Sequence, residues 1–309
     1  MKRREFIGVL GAGCWAIVGV PRLRFQDDVF VERWSWAMGQ SVHLMVFAGS
    51  EQEGLDACAA ALAELRRVES RLTLFDDASD LCELNHCAGR KAMRVDLDLE
   101  AVLGLSARFR RETGGAFDVA VEPLMRAWGF HRPRVRPPTP AELSEAREAV
   151  AAAVVELHGA VARLPSAHTQ LDFGSIGVGY GIDRALGVLR ARGIARAFLD
   201  VSGDMAAIGA PPGEPGWRVD VADPKRVGQA VARTRLRDTA LSTAANTESI
   251  VRYGALIAGH VMDPHTGWPA HALRQASVVT RMAVAADALS TAMLVTGRRP
   301  DGVLKSWRV

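Results

Sequence analysis

The chain has 309 residues, 49% apolar and 24% charged, with 38 basic residues against 35 acidic ones. Such a length fits one large domain or two lobes around a sizeable core, and the composition is that of an ordinary globular protein without low-complexity tracts. A net charge of +3 provides no basic excess of the kind that nucleic-acid binding needs, so that class of partner is excluded from the expectation.

In chain order, residues 1–30 read as an address. Lys2-Arg3-Arg4-Glu5-Phe6-Ile7 sets paired arginines ahead of an apolar run from Gly8 to Val20 that only Trp15 interrupts. This is the pattern of a twin-arginine-type export signal. At roughly 13 residues the run is too short to span a bilayer comfortably. The expectation is export to the periplasm or another extracytoplasmic space, with cleavage between residues 20 and 30. An uncleaved N-terminal membrane anchor is the other outcome. Cys14 does not make a lipoprotein site, because Gly11-Ala12-Gly13 lacks the usual Leu. Removal of the signal leaves Cys58, Cys82 and Cys87, an odd number that argues for free thiols over a disulfide framework. No Cys/His spacing suits zinc.

Residues 41–48 are apolar and alternate enough for a strand. Residues 51–70 have helical periodicity without proline, and 99–111 form a second helix ending at Gly114-Gly115. Residues 132–140 carry four prolines and read as a loop or lobe junction. A short helix follows at 141–153, then two weak strands around a Gly turn in 154–170. Next come a helix at 179–192, a buried strand at 197–201, and paired strands at 217–222 and 229–236. One or two strands follow within 251–262, and the last helix runs over 285–296, closed by Gly297. More strands than helices, without regular alternation, give a mixed α+β class.

Five clusters carry chemistry. In the last helix, Asp287 stands among small apolar residues, where an unneutralised carboxylate costs several kcal/mol. Thr291 is one turn on, so carboxylate and hydroxyl share a face that suits a hard cation such as Mg²⁺. Thr113-Gly114-Gly115-Ala116-Phe117-Asp118 offers a turn where backbone can approach a ligand, with an acceptor beside it. Leu171-Asp172-Phe173-Gly174-Ser175-Ile176-Gly177-Val178-Gly179-Tyr180-Gly181-Ile182-Asp183 sets glycines at the start of a helix, a place suited to an anion. It is not a dinucleotide fingerprint, for want of the third spacing and the acidic partner. Asp200-Val201-Ser202-Gly203-Asp204 is a strand ending in a tight turn. His260-Val261-Met262-Asp263-Pro264-His265-Thr266-Gly267-Trp268-Pro269 places a histidine at a strand end, where it can act as a base near neutral pH.

Taken together and in order, these clusters resemble the ApbE family of FAD:protein FMN transferases. Met38-Gly39, Ser79-Asp80-Leu81 ahead of Leu84-Asn85, Trp128-Gly129-Phe130 and Ala222-Asp223-Pro224 add to the likeness, which covers about Trp36 to Gly297. The resemblance implies antiparallel-rich sheets with flanking helices, akin to the T-fold, over residues 31–309. It implies Mg²⁺-dependent transfer of FMN from FAD to a Thr or Ser hydroxyl of an acceptor redox protein, with AMP released. Hydrolysis of FAD to FMN and AMP, or flavin binding without turnover, are the alternatives. Family metal ligands fall on Asp287, Thr291 and the Ser175 carbonyl, with Ser290 adjacent. Flavin-site positions fall on Met38, Phe75, Ala116, Phe117, Asp118, Asp172 and Val178, and the deprotonating histidine on His260. The family usually has Lys where this chain has Val178. Its Met-Gly-Thr, Thr-Ser-Gly and Gly-Gly-Asn are here Met38-Gly39-Gln40, Thr243-Ala244-Ala245 and Ser202-Gly203-Asp204. The metal end is kept and the pyrophosphate cradle is altered.

Overall fold

The computed structural model describes residues 28–226, 228–247 and 249–309. The twin-arginine motif and Cys14 lie outside the described residues. Strand β1 (Val29–Ala37) turns at Met38-Gly39, both at positive φ, into β2 (Gln40–Ala48). The Met38 and Gly39 amides donate to the Glu69 carboxylate at 2.8 and 2.9 Å, which ties the turn to the helix that follows.

Helix α1 (Glu51–Leu72) starts where the Ser50 hydroxyl accepts from the Glu53 amide, and it buries Ala57, Cys58, Ala61, Leu62, Leu65 and Val68 along one stripe. Next come α2 (Asp80–His86), β3 (Met93–Arg94), α3 (Leu97–Glu112), a 3₁₀ turn (Val119–Val121) and α4 (Glu122–Trp128). The proline-rich segment is a loop, as its composition predicts. It leads to α5 (Pro140–Ala151), which a Thr139/Glu142 capping box opens, and then to β4 (Glu156–His158) and β5 (Val161–Arg163). The second half runs α6 (Gly177–Ala191), β6 (Arg196–Val201), β7 (Asp204–Ile208), β8 (Trp217–Ala222), β9 (Ala230–Leu236) and β10 (Ala240–Ala245). It closes with β11 (Ile250–Tyr253), β12 (Leu256–Gly259), β13 (Gln275–Thr280), α7 (Ala283–Thr296) and β14 (Lys305–Arg308).

The frame is a seven-stranded sheet ordered β1-β2-β6-β7-β10-β13-β14, with every pairing antiparallel. Alternation along the strands separates two cores. Val42, Leu44, Val46, Leu199, Val201, Ala206 and Val278 face α1, α6 and α7. Met45, Phe47, Phe198, Met205, Leu241 and Val279 face the β8–β9 hairpin, whose Trp217 is fully buried there. A third cluster joins α4 and α5 to the β11–β12 hairpin through Leu124, Trp128, Val150, Ala258 and Met262. Trp128 is therefore core, and its indole N–H donates to the Gly267 carbonyl at 2.8 Å. Cys58, Cys82 and Cys87 are free and buried, as the cysteine count predicts.

Candidate functional site

One cleft gathers residues from five distant segments: Ala116 and Asp118, Asp172 to Val178, Ser202 and Asp204, Ser242 to Ala245 with His260 to Pro264, and Asp287 to Thr291. Its cavity of about 190 Å³ is below the roughly 300–1,000 Å³ of a pocket that encloses a whole drug-sized ligand. A dinucleotide seated here leaves part of itself at the mouth.

Backbone pairing brings the segments together. Asn85 is a double clamp on Leu171, accepting from its amide at 2.8 Å and donating to its carbonyl at 2.9 Å. The Asp172 amide donates to the Val119 carbonyl at 2.7 Å, which joins the segment after Asp118 to the glycine-rich segment. Asp183 caps α7 from α6: its carboxylate accepts from the Ala283 and Val284 amides, each at 2.9 Å. The last residue of the glycine-rich motif therefore anchors the helix that carries Asp287. Inside the His260–Pro269 loop, Asp263 accepts from the His265 amide and the Thr266 hydroxyl, which fixes the turn at Pro264. Asn246 accepts from the Val261 amide at 2.8 Å and so holds the residue next to His260.

The first wall is acidic. Asp287 is buried, and its Oδ2 accepts from the Gly179 amide at 3.0 Å. The acceptor at the N-terminus of α6 is thus the protein's own Asp287 carboxyl group. Gly179 is required by contact: a Cβ there would lie 2.4 Å from the Ala283 carbonyl oxygen and 2.8 Å from the Asp287 Cβ. Burial first, and then the charge of Asp204, push the Asp287 carboxyl well above the usual carboxylate range. Ser290 exchanges a hydrogen bond with Ser242 at 3.1 Å and donates to the Asp287 carbonyl at 2.9 Å. Thr291 and Ser175 line the same end.

Across the cleft, Asp118 is buried, pairs with the Arg110 guanidinium at 2.8 Å, and accepts from the Ala120 amide at 2.9 Å. Asp172 accepts from the Gly174 amide at 2.7 Å, and burial raises its proton affinity. His260 has a buried Nδ1 without a hydrogen-bond partner. Burial lowers its pKa, so the neutral imidazole is the favoured form.

The structure brings Ala116, Asp118, Asp172, Ser175, Val178, His260, Asp287, Ser290 and Thr291 together in the cleft. Three residues sit elsewhere. Met38 packs near Gly181 under the β1–β2 turn. Phe75 is 86% exposed and meets His131 edge-on. Phe117 has its ring in the core against Phe109. Sequence reasoning missed Asn85, Asp183 and Asn246 as clamps, and the closeness of Asp204 to Asp287. Only the short-range polar motifs gave any signal for the first two.

The ApbE family, by its sequence model, matches residues 38–304. The FAD:protein FMN transferase of Treponema pallidum is 31% identical over 259 residues, spanning 77% of this chain and 72% of the relative. That of Salmonella typhimurium is 27% identical over 237 residues, spanning 73% and 67%. Among solved structures, the ApbE protein of Thermotoga maritima superposes with a TM-score of 0.79 at 26% identity, covering 87% of each chain. The Pseudomonas stutzeri flavinyl transferase ApbE shares the fold, with a TM-score of 0.76 at 22% identity over 88% of this chain and 86% of that one. The α+β expectation with antiparallel-rich sheets is met, and on sequence and fold alike this chain belongs to the ApbE family.

Proposed function

We propose that this protein transfers the FMN moiety of FAD to a Thr or Ser hydroxyl of an acceptor redox protein, releases AMP, and uses Mg²⁺ to do so. One observation carries the Mg²⁺ reading. Among the described residues lining the cleft are four aspartates, Asp118, Asp172, Asp204 and Asp287, of which Asp118 is paired with Arg110 behind it, and no Arg or Lys. A diphosphate cannot enter so acidic a cleft at low cost unless a cation enters with it. The donors at the acidic end fit a hard cation: the Asp287 carboxylate, the Thr291 hydroxyl and the Ser175 carbonyl, with Ser290 and Asp204 adjacent. A Mg²⁺ held by these groups would supply the charge neutralisation that the phosphates and the leaving group need.

The chain's own residues do the rest. His260, kept neutral by burial, takes the proton of the acceptor hydroxyl. The freed oxygen attacks the FMN phosphorus. A new P–O bond forms as the bond to the AMP phosphate breaks, and AMP leaves with the electron pair. Asp172 and Asp118 accept hydrogen bonds from the ligand, and the open mouth admits the acceptor.

Incubation with FAD, Mg²⁺ and an acceptor domain tests this by mass spectrometry. Covalent FMN on a Thr or Ser with stoichiometric AMP is expected. Free FMN without covalent flavin identifies a hydrolase, and bound FAD without AMP identifies a binding protein. Because the lowered His260 pKa leaves the base available at neutral pH, the rate falls only as pH drops below the ordinary histidine range. His260→Gln should remove that acid limb and about 10²–10⁴ of the rate.

Arg3-Arg4 ahead of an apolar run supports export, with the acceptor also outside the cytoplasm. Among the described residues no helix is long and apolar enough to cross a membrane; the apolar run of Gly8 to Val20 is the segment proposed for any membrane association. A reporter fusion lacking Arg3 and Arg4 should stay inside the cell, and unchanged export overturns the reading.

A further inference from the structure

Behind Asp172 lies an ionisable pair that neither the fold nor the transfer step employs. His131 follows α4 in the loop after Trp128-Gly129-Phe130. Its Nδ1 is 3.6 Å from Glu122 Oε1 and its Nε2 is 3.5 Å from Asp172 Oδ2. These are ion-pair distances, longer than hydrogen bonds. The imidazole is mostly enclosed, with side-chain exposure of 18%, and Phe75 covers it edge-on. Glu122 is 4% exposed: Oε1 takes both Arg126 donors at 2.8 and 3.1 Å, and Oε2 is buried without a partner.

We propose that His131 is a positioning residue for flavin binding: clamped between Glu122 behind it and Asp172 in front, the imidazolium holds the Asp172 carboxylate ionised and oriented in the cleft. This rests on the cleft being the flavin site. The charged and titratable groups around the pair are Glu122 and Arg126 on α4, Asp172 ahead of α6, and His260, neutral in the wild type, after β12. Glu122 and Asp172 both favour the protonated imidazole, and burial and Arg126 oppose it, with a net upward shift. Asp172 is pushed up by burial and by Glu122, and is drawn down by His131, the Gly174 amide and His260. Without the His131 cation, Asp172 keeps its proton to higher pH and stops accepting from a ligand N–H or O–H.

The signs follow. FAD affinity is highest where Asp172 is ionised and His131 protonated. It falls in acid as Asp172 takes a proton, and it falls in base as His131 loses one. His131→Gln should move the acid limb upward and erase the basic limb. FAD then binds about tenfold more weakly at mildly acid pH, the change that one unit of pKa carries. Above the His131 titration, variant and wild type converge. His131→Lys, which carries a cation to about pH 10, should return the acid limb to its wild-type position and show no basic limb below that pH.

The measurement is quenching of flavin fluorescence by the full chain with Mg²⁺ present and no acceptor, from pH 5 to 9. A uniform loss of affinity with both limbs unmoved would overturn the proposal, because that is what a merely structural role produces. So would failure of His131→Lys to restore the acid limb. A second readout needs no ligand: ¹³C NMR titration of the Asp172 carboxyl should show its midpoint higher in His131→Gln than in wild type, and an unchanged midpoint overturns the proposal. If the wild type binds no FAD at any pH, the flavin-site reading fails, and the NMR titration still decides the role of His131.

Discussion

The two ends of the cleft differ in how they are built. At the acidic end, polar groups are tied down by the fold: Gly179 donates to Asp287, Ser290 bridges to Ser242, and Asp183 caps the helix beneath them. Beside them, Val178, Ala244 and Ala245 line the cleft with apolar methyl groups, and no Arg or Lys joins them among the described residues. On the proposed function, a diphosphate here would find its charge compensation in a cation held at the acidic end. A lysine at the Val178 position, as the family resemblance implies for relatives, would share that load.

The largest test removes that end. Asp287→Ala should abolish Mg²⁺-dependent turnover, a loss of 100-fold or more on the order seen when a transition-state charge partner is deleted. Retained activity would break the contrast outright. Folding is checked by thermal melting, because the Gly179 amide loses its acceptor. Next, Val178→Lys should tighten FAD binding in the absence of metal by about tenfold, since a charge-assisted hydrogen bond to phosphate is worth about 1.5–3 kcal/mol. Titration calorimetry with and without Mg²⁺ reads this, and unchanged affinity would mean that position 178 does not meet the phosphates.

The smallest effect concerns the turn that carries Asp204. Asp200 is half-buried, and desolvation pushes its carboxyl up to about 6, although it accepts from the Gly203 amide at 2.8 Å. The unfolded chain releases that proton near 3.8, so a charging cost builds in the folded state from about pH 4 to 6 and is complete above it. Asp200→Asn keeps the acceptor and removes the cost. The variant should gain on the order of 1–3 kcal/mol at pH 7 and nothing below pH 4, as read by urea unfolding at the two pH values.

Much of the fold was legible because helices announce themselves. The 3.6-residue stripe of α1 and the Gly297 stop of α7 needed no tertiary information. What stayed hidden were β1, β3, β7, β10, β13 and β14, together with the short helices α2 and α4. β13, Gln275–Thr280, is buried at every position and has no alternation to read. β10 is built of small residues with a polar pair at its centre, because Ser242 faces α7 and Thr243 bonds to Ser277 on the neighbouring strand. The Ala283 start of α7 was hidden for the same kind of reason, since its cap is Asp183, 100 residues earlier.

For the site, buried polar residues within apolar runs marked Asp287 and the glycine-rich segment. The likeness to a known family marked His260 and the flavin positions. The pairing of Asp204 with Asp287 could not be read. It depends on β7 lying beside β10 under α7, a sheet order that puts residues far apart in sequence at one place. Likewise Phe117 sits in a motif facing the cleft, yet its ring turns into the core while its neighbours Ala116 and Asp118 line the opening.

The close packing at Gly179 has a practical corollary. Its amide proton bridges two helices and ends on the very oxygen that a cation would claim. Whatever Asp287 gains or loses is therefore registered one bond away, in a backbone nucleus that every isotope-labelled sample contains. The resonance frequency and deuterium-exchange rate of that single amide amount to an occupancy gauge native to the chain, readable without substrate, acceptor or dye.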